Sequence, residues 1–194
     1  MAVQGCSHGS LSAIYDTVAQ YSSSKSTKVD LLLLCGDFQA LRSQYDFPSL
    51  AVPPKYHALG TFHQYYSGER VAPVLTIVIG GNHEASNYMW ELYHGGWLAE
   101  NIYYMGAAGS VMVDGFRIAG ASGIYKDHDH RKGGSSLSFC LTLTETCRSF
   151  REGAIQQFNL TERISHTIIR RSQAHAGECP HSLVVLSMRN ADRR

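Results

Sequence analysis

The sequence predicts an α/β fold built on a largely parallel sheet, and three observations carry that prediction. Val29 to Cys35 and Val74 to Ile79 are almost unbroken apolar runs, the pattern of strands buried on both faces. The order at the front is strand, helix, strand, which favours a right-handed βαβ unit. Three strand ends carry polar clusters, namely Cys6-Ser7-His8, Gly36-Asp37 and Gly81-Asn82-His83-Glu84. Open α/β sheets place their sites at such ends.

Met1 to Gln4 reads as a short first strand running into Gly5-Cys6-Ser7-His8-Gly9. Ser10 is a candidate N-cap, and Leu11, Ile14, Tyr15, Val18 and Ala19 recur at helical spacing. Ser22 to Thr27 is a polar loop on this reading, followed by the strand from Val29 that only Asp30 interrupts. Residues 43–57 hold three of the five prolines and no period, so they form an excursion; Tyr56 to Tyr66 is a candidate helix. After the strand at Val74 to Ile79, the segments Ile102 to Met105, Val111 to Val113 and Phe116 to Ala119 are separated by glycines and the Asp114-Gly115 turn. This spacing predicts an antiparallel meander.

The 194-residue length suits one domain with a core, and 44% hydrophobic residues fit a globular chain. A net charge of +1 excludes a global polycation, so a polyanionic ligand has to be held by local charge or by metal. No run approaches a membrane span, and the N-terminus lacks a signal-peptide layout. Five cysteines without a C-x-x-C argue against a disulfide framework and for a reducing compartment.

At Gly134 the text changes. All five lysines precede that residue, whereas eight of the twelve arginines follow it, and strand and turn signals fade into Ser/Thr-rich sequence. The chain therefore divides into 1–133, carrying the strand-end clusters, and a divergent tail, 134–194. The tail is either loop and helices of ordinary composition or a segment from a read-through or shifted reading frame, without a native fold.

In a parallel sheet the three strand ends converge on one edge. Cys6, His8, Asp37, Asn82 and His83 can then meet, and a thiolate, imidazole, carboxylate and amide together suit divalent transition metals. A shared carboxylate such as Asp37 can bridge two ions, and such a pair clamps a phosphoryl group. Each residue also has an ordinary alternative: Cys6 as a small buried hydrophobe, His8 as a turn residue, Asp37 as a turn former.

Gly36-Asp37 and Gly81-Asn82-His83-Glu84 resemble the motifs of calcineurin-like metallophosphoesterases. That superfamily opens with Asp-x-His, where this chain has Cys6-Ser7-His8. The substitution, with Cys35 to Gln39, Ala51-Val52-Pro53-Pro54-Lys55-Tyr56, Tyr65 to Glu69, Gly95-Gly96-Trp97, Asn101 to Tyr104 and Ser122 to Lys126, closely resembles the RNA lariat debranching enzymes across residues 1–133.

The resemblance implies an αββα sandwich, incomplete in this chain, and hydrolysis of the 2′–5′ phosphodiester of branched lariat intron RNA in mRNA processing. It implies that Cys6, His8 and Asp37 line one metal pocket and that Asp37 reaches a second pocket formed with Asn82. Zn²⁺ or Fe²⁺ suits the softer Cys6 pocket and Mn²⁺ the other. His83 faces the scissile phosphate, stabilising charge or protonating the leaving oxygen. Glu84 buttresses the turn. His128, Asp129, Arg131 and Lys132 begin an RNA-recognition loop, and the substrate implies a nuclear location and no membrane. The family's later Ser-His-Asp-Trp and Gly-His-x-His motifs have no counterpart in 134–194, where Ser165-His166 is followed by Thr167. Half a ligand set predicts weak metal binding and little or no activity.

Overall fold

A computed structural model describes residues 1–123 and the backbone of two further strands at 157–159 and 183–187. The central sheet has five strands in the order β1-β2-β3-β5-β4: β1 (Ala2–Gln4), β2 (Leu31–Cys35), β3 (Leu75–Ile79), β4 (Gly96–Ala99) and β5 (Ile102–Tyr104). β1, β2, β3 and β5 run parallel, and β4 closes the edge antiparallel to β5. A second sheet has the order β8-β6-β7-β9, with β6 (Ala108–Val113), β7 (Phe116–Ala121), β8 (Gln157–Asn159) and β9 (Leu183–Ser187).

The apolar runs of β2 and β3 exist because both faces of the central sheet are covered. Leu32, Leu34, Val78 and Tyr104 pack against Leu11 and Tyr15 of α1 (Leu11–Lys25), Phe62 and Tyr65 of α2 (Phe62–Tyr66), and Tyr88 and Met89 of α3 (Ser86–Glu91). Leu31, Leu33, Ile77 and Ile79 point the other way, onto Val111, Val113 and Ile118 of the second sheet. The described layers are thus helices, sheet, sheet. Burying a Leu or Ile of β2 or β3 contributes roughly 2 kcal/mol each by area removed from water.

Several elements differ from the expectations above. Helix α1 continues through Ser22, Ser23 and Ser24 to Lys25, where a polar loop was expected. Ser23 and Ser24 hydroxyls donate back to the carbonyls of Ala19 and Tyr21, which lets serine remain helical. The expected helix over Tyr56 to Tyr66 is reduced to α2, because Gly60 takes a left-handed φ of 66° and packs against the backbone of Gly9. Residues Gln44–Ser49 and Pro54–Tyr56 form 3-10 turns within the excursion. The antiparallel meander is only the β6–β7 hairpin; β5 instead pairs with β3 in the central sheet, where Ile102 and Tyr104 are fully buried. Two tail segments, β8 and β9, pair in parallel with β6 and β7, although no strand was expected there.

Candidate metal centre

β1, β2 and β3 end side by side, and the loops after them form the site. In the first loop, His8 (φ 44°) and Gly9 (φ 75°) adopt left-handed backbone before α1 begins. The loop is tied to its neighbour by His8 N–H donating to Asp37 O at 2.7 Å and Gly9 N–H donating to Phe38 O at 3.2 Å. In the second loop Asp37 (φ 38°) and Gln39 (φ 60°) are also left-handed. Such conformations cost roughly 1–2 kcal/mol per non-glycine residue, so surrounding contacts must hold them.

Glu84 supplies those contacts. It is buried, and its carboxylate accepts from Phe38 N–H at 2.7 Å, Gln39 N–H at 2.8 Å and Gly81 N–H at 3.0 Å. One side chain therefore joins the loop after β2 to the loop after β3. Burial raises its carboxyl to about 7 against the pull of the three donors, and the charge of Asp37 adds to the rise. Gly81 is the second joint. A Cβ there would overlap the carboxylate and backbone nitrogen of Asp37, so only glycine leaves Asp37 in place. Behind the loop, Gly80 N–H donates to Ser122 Oγ at 3.0 Å, and Ser122 donates to Gly106 O at 2.6 Å.

The structure brings Cys6, His8 and His83 together around Asp37, four of the five strand-end residues in all. Single ligand atoms of Cys6, His8 and Asp37 lie within 4.8 Å of one another. His8 Nε2 is 3.8 Å and His83 Nδ1 3.3 Å from Asp37 Oδ2, and the two rings stand 5.7 Å apart. His83 also donates its backbone N–H to Asp37 Oδ1 at 3.0 Å. Asp37 is buried, whereas 52% of the His8 side chain and 39% of the His83 side chain are exposed, so the group opens to solvent on the histidine side. Asn82 sits half-buried one residue before His83. His128, Asp129, Arg131 and Lys132 lie outside the described residues.

Thiol, imidazole and carboxylate at this spacing fit a divalent transition metal. Burial pushes the Cys6 thiol up, and the Asp37 charge adds to it. The Cys35 thiol, at the end of β2, is raised by burial as well, with Cys6 adding a smaller push.

The excursion after β2 braces the third loop. Arg42 donates to Asp46 at 2.9 and 3.1 Å and to Glu91 at 3.1 Å, and stands 4.4 Å above the Tyr88 ring. Asn87 of α3 donates to the same Asp46 carboxylate at 2.6 Å. Burial would raise Asp46, but the Arg42 and Asn87 hydrogen bonds outweigh it and hold the carboxyl below its usual range. Sequence reasoning did not find this brace; the Arg42–Asp46 spacing of four was the available signal.

Residues 1–163 match the family described as calcineurin-like phosphoesterase. The lariat debranching enzyme of Drosophila pseudoobscura pseudoobscura is 58% identical over 149 residues, covering 77% of this chain and 27% of that protein. Lariat debranching enzyme A of Xenopus laevis is 60% identical over 133 residues, 69% of this chain and 25% of that protein. The Homo sapiens lariat debranching enzyme is 59% identical over 133 residues, 69% of this chain and 24% of that protein. The chain spans about a quarter of the length of these curated relatives.

Proposed function

The chain belongs to the calcineurin-like phosphoesterase family, and from that premise we propose that it carries the first half of the metal centre of an RNA lariat debranching phosphodiesterase. The reaction is hydrolysis of the 2′–5′ phosphodiester at the branch of excised intron lariats, which gives splicing as the context and the nucleus as the place. The observation that carries the reading is the convergence of Cys6, His8 and Asp37 within 4.8 Å, with a cysteine where the wider superfamily places aspartate. The similarity to proteins named lariat debranching enzymes over 133 residues supports the same choice.

In this reading Cys6, His8 and Asp37 hold one divalent ion, Fe²⁺ or Zn²⁺ by the softness of the thiolate, and Asp37 with Asn82 contributes to a Mn²⁺ pocket beside it. When bound, such ions supply Lewis acidity toward a phosphoryl oxygen. The chain's own part is orientation. Asp37 fixes His83 through Nδ1 and the backbone N–H, which leaves the other ring nitrogen to meet the phosphate, stabilise its charge or hand a proton to the leaving oxygen. Glu84 and Gly81 keep Asp37 still while this happens. His128, Asp129, Arg131 and Lys132 would contact RNA phosphates in the same reading.

The test is incubation of the purified chain with Mn²⁺ or Fe²⁺ and a synthetic branched RNA. Linearisation of the branch with linear 3′–5′ RNA untouched supports the reading, and equal cleavage of both points to a general phosphodiesterase. Metal binding without cleavage supports a second reading, an RNA-binding half-centre without turnover.

A further inference from the structure

The turn Pro53-Pro54-Lys55-Tyr56, prominent in the sequence, has no part in the metal group, yet both ends of its segment are pinned to it. At one end Ala51 N–H donates to the carbonyl of Glu84, directly after His83, at 3.1 Å, and Leu50 bridges Ala85. At the other, Thr61 N–H donates to Gly9 O at 2.9 Å, directly after His8, and Gly60 lies in backbone contact with Gly9. Residues 52–60 thus form an arch whose two feet are tied to the backbone just after His83 and His8 in sequence. The arch is stiff. Two prolines set its backbone, Tyr56 N–H donates to Pro53 O and His57 N–H to Pro54 O, and the His57 ring is held between Val52 O at 2.8 Å and the Phe47 ring. At the crown, Tyr56 is 63% exposed and the Lys55 ammonium stands 4.7 Å from its ring centre. Among the described residues Lys55 has no carboxylate partner.

Among the described residues this turn holds an exposed aromatic ring and a cation without a carboxylate partner side by side. We infer that the Lys55–Tyr56 crown is a substrate-contact element for single-stranded RNA: Tyr56 stacks on an unpaired base and Lys55 meets a backbone phosphate. This rests on the phosphodiesterase reading of the metal group and adds to it a source of selectivity for nucleotides over small phosphodiesters. Base stacking on aromatics tolerates any base, and a lysine contacts phosphate without reading sequence, so the crown grips the strand without choosing a sequence. Its stiffness reduces the ordering cost on binding.

Fluorescence anisotropy with a labelled branched RNA and a linear RNA of the same composition, in Mn²⁺, tests the inference on the full chain. Tyr56→Ala weakens RNA binding about tenfold, Tyr56→Phe restores it, and Lys55→Ala weakens it with a shallower salt dependence. Circular dichroism melts of the variants match the parent, since both side chains are exposed. If the parent prefers branched RNA and Tyr56→Ala binds equally well, the crown has no such role and the debranching reading stands. If Tyr56→Ala loses binding but the parent ignores branching, the crown is supported and the debranching reading fails. Absence of binding to either RNA by the folded parent overturns both.

Discussion

The two halves of the metal group are built differently. Asp37 and His83 follow β2 and β3, five-residue strands in the interior of the sheet with nearly every residue buried, and Glu84 welds their loops through three backbone hydrogen bonds. Cys6 and His8 follow β1, a three-residue edge strand with two exposed residues, and their loop is held by two backbone hydrogen bonds to the Asp37 loop. The comparison teaches that one half is welded by a buried carboxylate, whereas the other is held by backbone and hydroxyl hydrogen bonds from Ser7 and Thr61. A ligand ion would join a buried carboxylate to a half-buried thiol and an exposed imidazole, which couples binding to local order.

The largest test of this asymmetry is Glu84→Ala. It leaves three buried N–H groups without an acceptor and should cost about 4 kcal/mol, read as a lower denaturant midpoint with unchanged slope. A loss below about 1 kcal/mol would mean that the two central loops are not held by this side chain. Gly81→Ala is next, since the added methyl displaces Asp37; about 2–3 kcal/mol of stability should go, together with most metal affinity. Arg42→Ala probes the brace behind α3 and should cost about 2 kcal/mol at neutral pH by stranding the buried Asp46. The sign with pH is set by Asp46, whose folded carboxyl lies below its ordinary 3.8: the parent's advantage is full above that value and shrinks as pH falls through the folded one. A difference that stays constant to low pH would remove Asp46 from the account. The smallest effect belongs to the edge. Val3→Thr, at a residue 61% exposed on β1, should change stability by no more than about 0.5 kcal/mol in a thermal melt.

What the sequence shows plainly is what is local. Continuous apolar runs mark β2 and β3, and glycines beside polar residues mark the loops that carry Cys6, His8, Asp37, Asn82 and His83. Strand membership was harder to read. Ile102-Tyr103-Tyr104 has the same local pattern as the hairpin that follows, and only burial against β3 assigns it to the other sheet. Helix α3 escaped notice because Ser86-Asn87 opens it without a side-chain cap and Trp90-Glu91 closes it exposed. β9 was missed although Leu183-Val184-Val185-Leu186 is an ordinary β run, because the tail was read as a whole from its Ser/Thr-rich opening at 135–144. In the site, the support given by Glu84 could be read as a buttress, but its partners could not: two of its three donors lie 45 and 46 residues away. The contact of Gly81 with Asp37 is likewise a property of two loops meeting, not of either one.

The central claim is that Cys6, His8 and Asp37 form one metal-binding group on this chain. Titration with Co²⁺ measures it directly, because thiolate ligation produces a charge-transfer band that oxygen and nitrogen ligands do not. The account predicts a saturable band with the parent, its loss in Cys6→Ala, and a weaker affinity in His8→Ala. A band that persists unchanged in Cys6→Ala, or a folded parent that takes up no Co²⁺, would contradict it.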